Sequence, residues 1–179
     1  MKRSPIALLV LLALSLPLVQ SACSADDTIN IITNSGKDCP TSIQASMTTL
    51  INEARAQART CGNINYSATL PVTWNTLLAI AAIGHSQDMA SHDFSSHIGS
   101  DGLDALTRVE AAGYEPAALG ENIGAGQTQI SEIINGWLGS EGHCRNIMSP
   151  LFTEIGAGCA SNDASYYGTY WTLELARPR

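Results

Sequence analysis

From residue 42 onward, apolar residues recur first at the spacing of helices and then at that of strands. In "TSIQASMTTLINEARAQARTCG", Ile43, Met47, Leu50, Ile51, Ala54 and Ala58 form one stripe, with Ser42 as cap and Gly62 as stop, which predicts a first helix. "YSATLPVT" reads as a loop. "WNTLLAIAAIGHSQDMASHD" predicts a second helix, capped by Thr73, with Trp74, Leu77, Leu78, Ala81 and Met89 inward. "SDGLDALTRVEAAGY" predicts a third, closed by Gly113. "QTQISEIINGWLGS" predicts a fourth, with Ile130, Ile133, Ile134, Trp137 and Leu138 on one face. His143 follows Gly142 at the start of a short helix through "CRNIM".

The period then changes. "TEIGAGCA" alternates through Ile155, Ala157 and Cys159, and "YGTYWTLELA" through Tyr167, Thr169, Trp171, Leu173 and Leu175, with "SNDAS" as the turn between. Helices come first and an antiparallel strand pair last, so the expected class is α+β.

The N-terminal segment follows neither pattern. Lys2 and Arg3 precede "IALLVLLALSLPLV", an apolar run of signal-peptide size, and small residues follow in "VQSACSA". Residues 1–25 are therefore expected to be an export signal, or a lipoprotein signal ending at an acylated Cys23. Gln20, where a lipobox usually has Leu or Val, counts against the lipid anchor. Residues 26–42 read as a tether and 43–179 as one domain, long enough for a single core. Without Lys2 and Arg3, seven basic residues face sixteen acidic ones, a charge of −9. That balance excludes nucleic acid and anionic lipid surfaces as partners, leaving a membrane contact only through an N-terminal lipid. The expected protein is a monomer exported to a periplasm, cell envelope or extracellular space, with a ligand that the sequence does not name.

Export places the cysteines in an oxidising compartment. Cys39, Cys61, Cys144 and Cys159 form an even set with three connectivities open to it. Cys39–Cys61 and Cys144–Cys159 are preferred because each closes a short loop. Cys144 is then a disulfide anchor, and no free thiolate remains for nucleophilic work.

The candidate chemistry is polar and scattered. His85 reads as a half-buried histidine bonded to backbone or a hydroxyl, and His92 as an exposed residue near a helix end. His97 lies in a turn-rich loop before "GSDG", Glu121 in the glycine-rich "GENIGAG", and His143 behind Gly142. Two histidines and a glutamate on three separate segments make either an incomplete divalent-metal site or an acid/base pair with an orienting partner. The sequence contains no HExxH and no GxSxG, and "GAG" lacks the βαβ setting of a dinucleotide fingerprint.

Five segments, "LPVTWNTLLAIAAIGHSQDMA", "FSSHIGSDG", "AGYEPAALGENIGAGQ", "WLGSEGHCRNIMSPLFTEIGAG" and "YGTYWTLELARP", together resemble the bacterial branch of the CAP superfamily, whose domain is also called the SCP domain. The resemblance runs from about Ile43 to Pro178. It implies a three-layer α-β-α sandwich around a small antiparallel sheet, with a shallow cleft lined by two histidines and two acidic residues. His97, Glu121 and His143 match three of the four. Ser140 stands about where the second acidic residue would be; Glu141 follows it, turned by about 100° on a helix. The resemblance further implies zinc or another divalent cation held by His97 and His143. Sterol or lipid binding occurs in some branches, but no extra apolar segment is present to build that groove. Three readings result: a metal- or small-ligand-binding cleft, a structural His/Glu cluster, and a metal-assisted, peptidase-like hydrolase using Glu121 with His97 or His143. A weaker variant of the last makes Ser140 the nucleophile.

Overall fold

The computed structural model describes residues 39–179. The expected export signal, Cys23 and the tether up to residue 38 lie outside the described residues. In chain order the elements are α1 (Ile43–Arg55), β1 (Arg59–Cys61), β2 (Ile64–Tyr66), β3 (Thr73–Trp74), α2 (Thr76–His92), α3 (Ala105–Ala111), β4 (Pro116–Ala125), α4 (Ile130–Gly139), α5 (Glu141–Met148), β5 (Glu154–Ser161) and β6 (Thr169–Pro178). β1 and β2 form a hairpin of their own, and the main sheet has the order β3-β5-β6-β4. Its three long strands are antiparallel, while β3 joins β5 in parallel at two positions, Thr73↔Glu154 and Trp74↔Ile155. The expected antiparallel sheet thus carries a short parallel edge.

β6 is buried on both faces from Thr169 to Ala176, which is why its sequence is apolar almost throughout. One face, with Trp171, Leu173, Leu175, Ile155, Ala157 and Cys159, packs against Met47 and Ile51 of α1, Ile133 and Trp137 of α4, and Ile147 of α5. Each fully buried aliphatic side chain there contributes about 1.5–3 kcal/mol. The other face receives α2, because Gly156 and Gly158 have no side chain to hold it off. A Cβ at Gly156 would run into the backbone of Leu78 and Ala79, and one at Gly158 into that of Ile83. Ser86 of α2 completes the seam, its hydroxyl hydrogen-bonded to both the Gly158 carbonyl and the Thr172 hydroxyl. α3 packs on this side too, through Val109 against Leu78, Ala81 and Ala176. The architecture is the expected α+β, α-β-α sandwich.

Several boundaries differ from the sequence pattern. α1 stops at Arg55, so Ala58 is off the helix. The reason is Arg55 itself, 1% exposed, whose guanidinium donates to the carbonyls of Leu70, Ile147, Ser149 and Phe152. That pulls the chain inward at the helix end. Gly62 does not end a helix; it turns the β1–β2 hairpin at φ +62°. Asn75, not Thr73, caps α2, its Oδ1 accepting from Leu77 and Leu78 N–H. Tyr167 lies before β6 rather than in it. The glycine-rich "GENIGAG" stretch belongs to the ten-residue strand β4. Its glycines are demanded by packing: a Cβ at Gly120 would press on the Phe152 ring and one at Gly124 on Ile133.

The preferred disulfide pairing is corrected. The bonds are Cys39–Cys159 and Cys61–Cys144, spanning 120 and 83 residues. Short loops were the wrong criterion, because the partners are chosen by the layers. Cys159 faces the α1 layer, where the chain enters at Cys39, and Cys144 on α5 faces the β1–β2 hairpin. Loops of this length stabilise by about 4–5 kcal/mol on the chain-entropy account. Non-reducing peptide mapping should recover the 39–159 and 61–144 linkages, and Cys61→Ala with Cys144→Ala should lower unfolding stability by about 3–5 kcal/mol.

Candidate functional site

Glu121 is the centre of the polar cluster. It lies on β4, and its side chain is only 4% exposed. Both of its carboxylate oxygens are used. Oε1 accepts from His97 Nδ1 at 2.6 Å, and Oε2 accepts from the Arg108 guanidinium at 2.6 Å. His97 comes from the loop after α2 and Arg108 from α3, so three segments meet on one carboxylate. Arg108 also donates to the carbonyls of His97 and Leu103, holding the His97 loop against α3. Asp104 caps α3 by accepting from Thr107 N–H, and Arg108, in the last turn of this short helix, reaches Glu121 of β4.

A carboxylate only accepts hydrogen bonds, so the proton between His97 and Glu121 sits on Nδ1. The imidazole is 54% exposed and has Nε2 left over. His143 is delivered from the other side by α5. Asn122 Nδ2, next to Glu121, donates to the His143 carbonyl at 3.1 Å, and Asn146 Nδ2 donates to the Glu121 carbonyl and to Asn122 Oδ1. The His143 ring makes no hydrogen bond among the described residues and is half-buried.

The remaining expected residues fall elsewhere. Ser140 ends α4 and starts α5, without a side-chain cap bond. Glu141 pairs with Arg145 on its own helix and lies against the Gly62 turn, so it belongs to the hairpin side rather than to the Glu121 cluster. His85 is 1% exposed with Nε2 on the Ser96 carbonyl at 2.8 Å, a backbone-bonded histidine. His92 is exposed at the end of α2, beside Asp88.

Two residues of the cluster were missed. Arg108 was not singled out within the predicted third helix. Glu174 of β6, 0% exposed, stands directly across from Glu121 in the sheet register. Its signal was a lone acid inside the apolar "YWTLELA" strand.

A model of the cysteine-rich secretory protein family matches residues 48–175, most of the chain. The chain belongs to this family. Among its CAP relatives, the uncharacterized protein YkwD of Bacillus subtilis is 28% identical over 143 residues, 80% of this chain and 51% of that protein. The uncharacterized membrane protein YlbC of the same organism is 31% identical over 94 residues, 52% of this chain and 26% of that protein. The chain thus spans about half of the length of the first of these relatives and about a quarter of the second. An SCP-domain extracellular protein from Bacillus anthracis superposes with a TM-score of 0.61 at 27% identity, covering 75% of this chain and 40% of that one. An outer surface protein of Borrelia burgdorferi shares the fold with a TM-score of 0.59 at 14% identity, covering 76% and 96%. Together with its two disulfides, the extracellular SCP relative marks this CAP domain as an exported bacterial protein.

The environment separates the charges of the CAP cleft. The hydrogen bond to Glu121 raises the His97 pKa against the effect of burial. Burial lowers that of His143, and the nearby His97 charge adds to it. Burial pushes Glu121 up, but hydrogen bonding from His97 and the Arg108 charge outweigh it, so its pKa is lowered. Burial and then the Glu121 charge hold Glu174 well above the usual carboxylate range.

Arg108→Ala should cost about 3 kcal/mol by stranding a buried carboxylate, measured by denaturant unfolding. His97 supplies a pH signature. Its folded pKa is raised, so its stabilisation is full below the unfolded value near 6.5 and is lost as pH climbs through the folded value. The melting-temperature advantage of wild type over His97→Gln should therefore be greatest below about pH 6.5 and shrink above it.

Proposed function

We propose that this CAP domain is an exported binding module whose cleft takes a small polar ligand between His97 and His143. One observation carries the reading: Glu121 has both oxygens engaged, which fixes His97 by Nδ1 and leaves its Nε2 and the His143 ring without a protein partner among the described residues. The two imidazoles have opposite leanings, His97 toward the protonated form and His143 toward the neutral one. Such a pair suits a ligand with an acceptor for His97 Nε2–H and a donor for His143.

The metal form of this reading fits less well. Zinc in a protein site takes three or four donors. Among the described residues no three His, Cys, Asp or Glu side chains form a group that could hold a metal, and Glu121 is committed to His97 and Arg108. The two histidines as they stand fall short of a zinc centre, and no chemistry is routed through one here. Hydrolysis with Glu121 as the base is disfavoured by the same engagement and by its 4% exposure. An acid/base role in this cleft would fall to His97.

The test is imidazole NMR of wild type and of His97→Ala with His143→Ala, titrated with small carboxylic acids, amino acids and zinc chloride. Organic ligands should move the His97 and His143 signals together and raise the wild-type melting temperature but not that of the double variant. Equal melting shifts in both proteins would remove the cleft as the binding site. Stoichiometric zinc with a stabilisation lost in the double variant would replace the small-ligand reading by the metal one.

A further inference from the structure

Glu174 is the one acid of the cluster that the cleft does not explain. On β6 it lies opposite Glu121 of β4 on one side and opposite Gly156 of β5 on the other. α2 rests on Gly156 by its backbone, so Glu174 is roofed as well as flanked. It is fully buried, and neither of its carboxylate oxygens meets a hydrogen-bond donor. Each packed element brings polar groups toward this space. Arg108 of α3 donates through its terminal nitrogens to Glu121 and to the carbonyls of His97 and Leu103, with its buried Nε left without a partner among the described residues. His85 of α2 uses Nε2 on the Ser96 carbonyl, leaving only its buried Nδ1 without a partner. Glu154, further along β5, accepts from Tyr114 and Asn75. His97 lies beyond Glu121, bonded to it.

Two carboxylates directly opposite on one sheet face repel, and a buried anion without a donor is among the costliest arrangements in a protein. One proton removes both problems. We propose that Glu174 is a neutral carboxylic acid whose hydroxyl donates to Glu121, and that this bond fixes Glu121 where it grips Arg108 and orients His97. The pair then carries a single negative charge, located on Glu121 and balanced by Arg108. The proton stays on a Glu174 oxygen, and the carboxylate form is kept for the residue that has two cationic or N–H partners. Glu174 is thus a positioning residue that acts on His97 through Glu121. The inference stands whether or not the cleft binds a ligand, since its readouts are the protein's own titrations.

The experiment uses the mature exported protein with its disulfides intact, as wild type, Glu174→Gln and Glu174→Leu. Gln keeps a neutral donor and Leu removes it. Above about pH 4.3 an unfolded Glu174 is ionised while the native one keeps its proton, so the native state binds the extra proton and wild type loses stability with rising pH. The folding constant of Glu174→Gln should therefore gain on that of wild type about tenfold per pH unit above that point, until the native acid ionises. In NMR titrations Glu174→Gln should leave the His97 pKa and its Nδ1–H tautomer unchanged. Glu174→Leu should disturb the tautomer, and the Gln variant should not. A folding-constant ratio that is flat with pH, together with a His97 pKa that falls in Glu174→Gln, would show an ionised Glu174 and overturn the proposal. So would a His97 tautomer and pKa that are unchanged in Glu174→Leu. If Leu prevents folding, the infrared carbonyl band of a protonated carboxyl decides in unaltered protein: present at neutral pH and lost in Glu174→Gln as expected, or absent from wild type and fatal to the idea.

Discussion

Keeping Glu121 ionised while burying it is the constraint around which the cleft is arranged. A buried carboxylate is stable only with its lone pairs met, and losing one partner costs more than the pair contributes. Meeting them here takes three parts of the chain. β4 supplies the residue, α3 the Arg108 guanidinium, and the loop after α2 the His97 imidazole, while the Asn146 amide of α5 holds the backbone carbonyl of Glu121. The loop between α2 and α3, residues 93–104, is fixed as a consequence, since Arg108 also holds the carbonyls of His97 and Leu103. The exposed imidazole is therefore preorganised by a buried charge rather than by its own surroundings.

The second histidine reaches the cleft by a different route. His143 begins the one-and-a-half turns that end in Ile147 and Met148, both fully buried in the main core. Cys144, its neighbour, is bonded to Cys61 and so turned away toward the β1–β2 hairpin. Successive residues on a helix point about 100° apart, so anchoring Cys144 on one side directs His143 to the other. Asn122 then fixes the height of α5 by bonding the His143 carbonyl. A covalent bond on one face and an amide on the other define where the ring sits, with no hydrogen bond from the ring itself among the described residues.

The helices and the two C-terminal strands were legible because their packing faces are single and periodic: Ile130, Ile133, Ile134 and Trp137 all enter one core. β4 was not legible, because three of its ten residues in "PAALGENIGA" are alanine and two are glycine. Those small residues exist to admit Phe152 and Ile133, a demand set by distant elements. His97, Glu121 and His143 were readable as polar residues at loops and helix ends. Arg108 and Glu174 were not, since their meaning depends on the β4–β6 register and on the seating of α3. The disulfides failed for the same reason: loop length describes the unfolded chain, while the pairing follows from which layer each cysteine faces.

That register also alters what the site can do. The family resemblance implies a second acid near the end of α4, where this chain has Ser140, and Glu141 is spent on Arg145 beside the hairpin. The acid nearest Glu121 comes instead from the centre of the sheet, where it is closed off from solvent. A mechanism that uses two carboxylates on opposite sides of a substrate needs both to reach it. Here one is 4% exposed with both oxygens bonded and the other is 0% exposed. The carboxylates of this cluster therefore act on the protein: Glu121 raises the pKa of His97, while burial lowers that of His143.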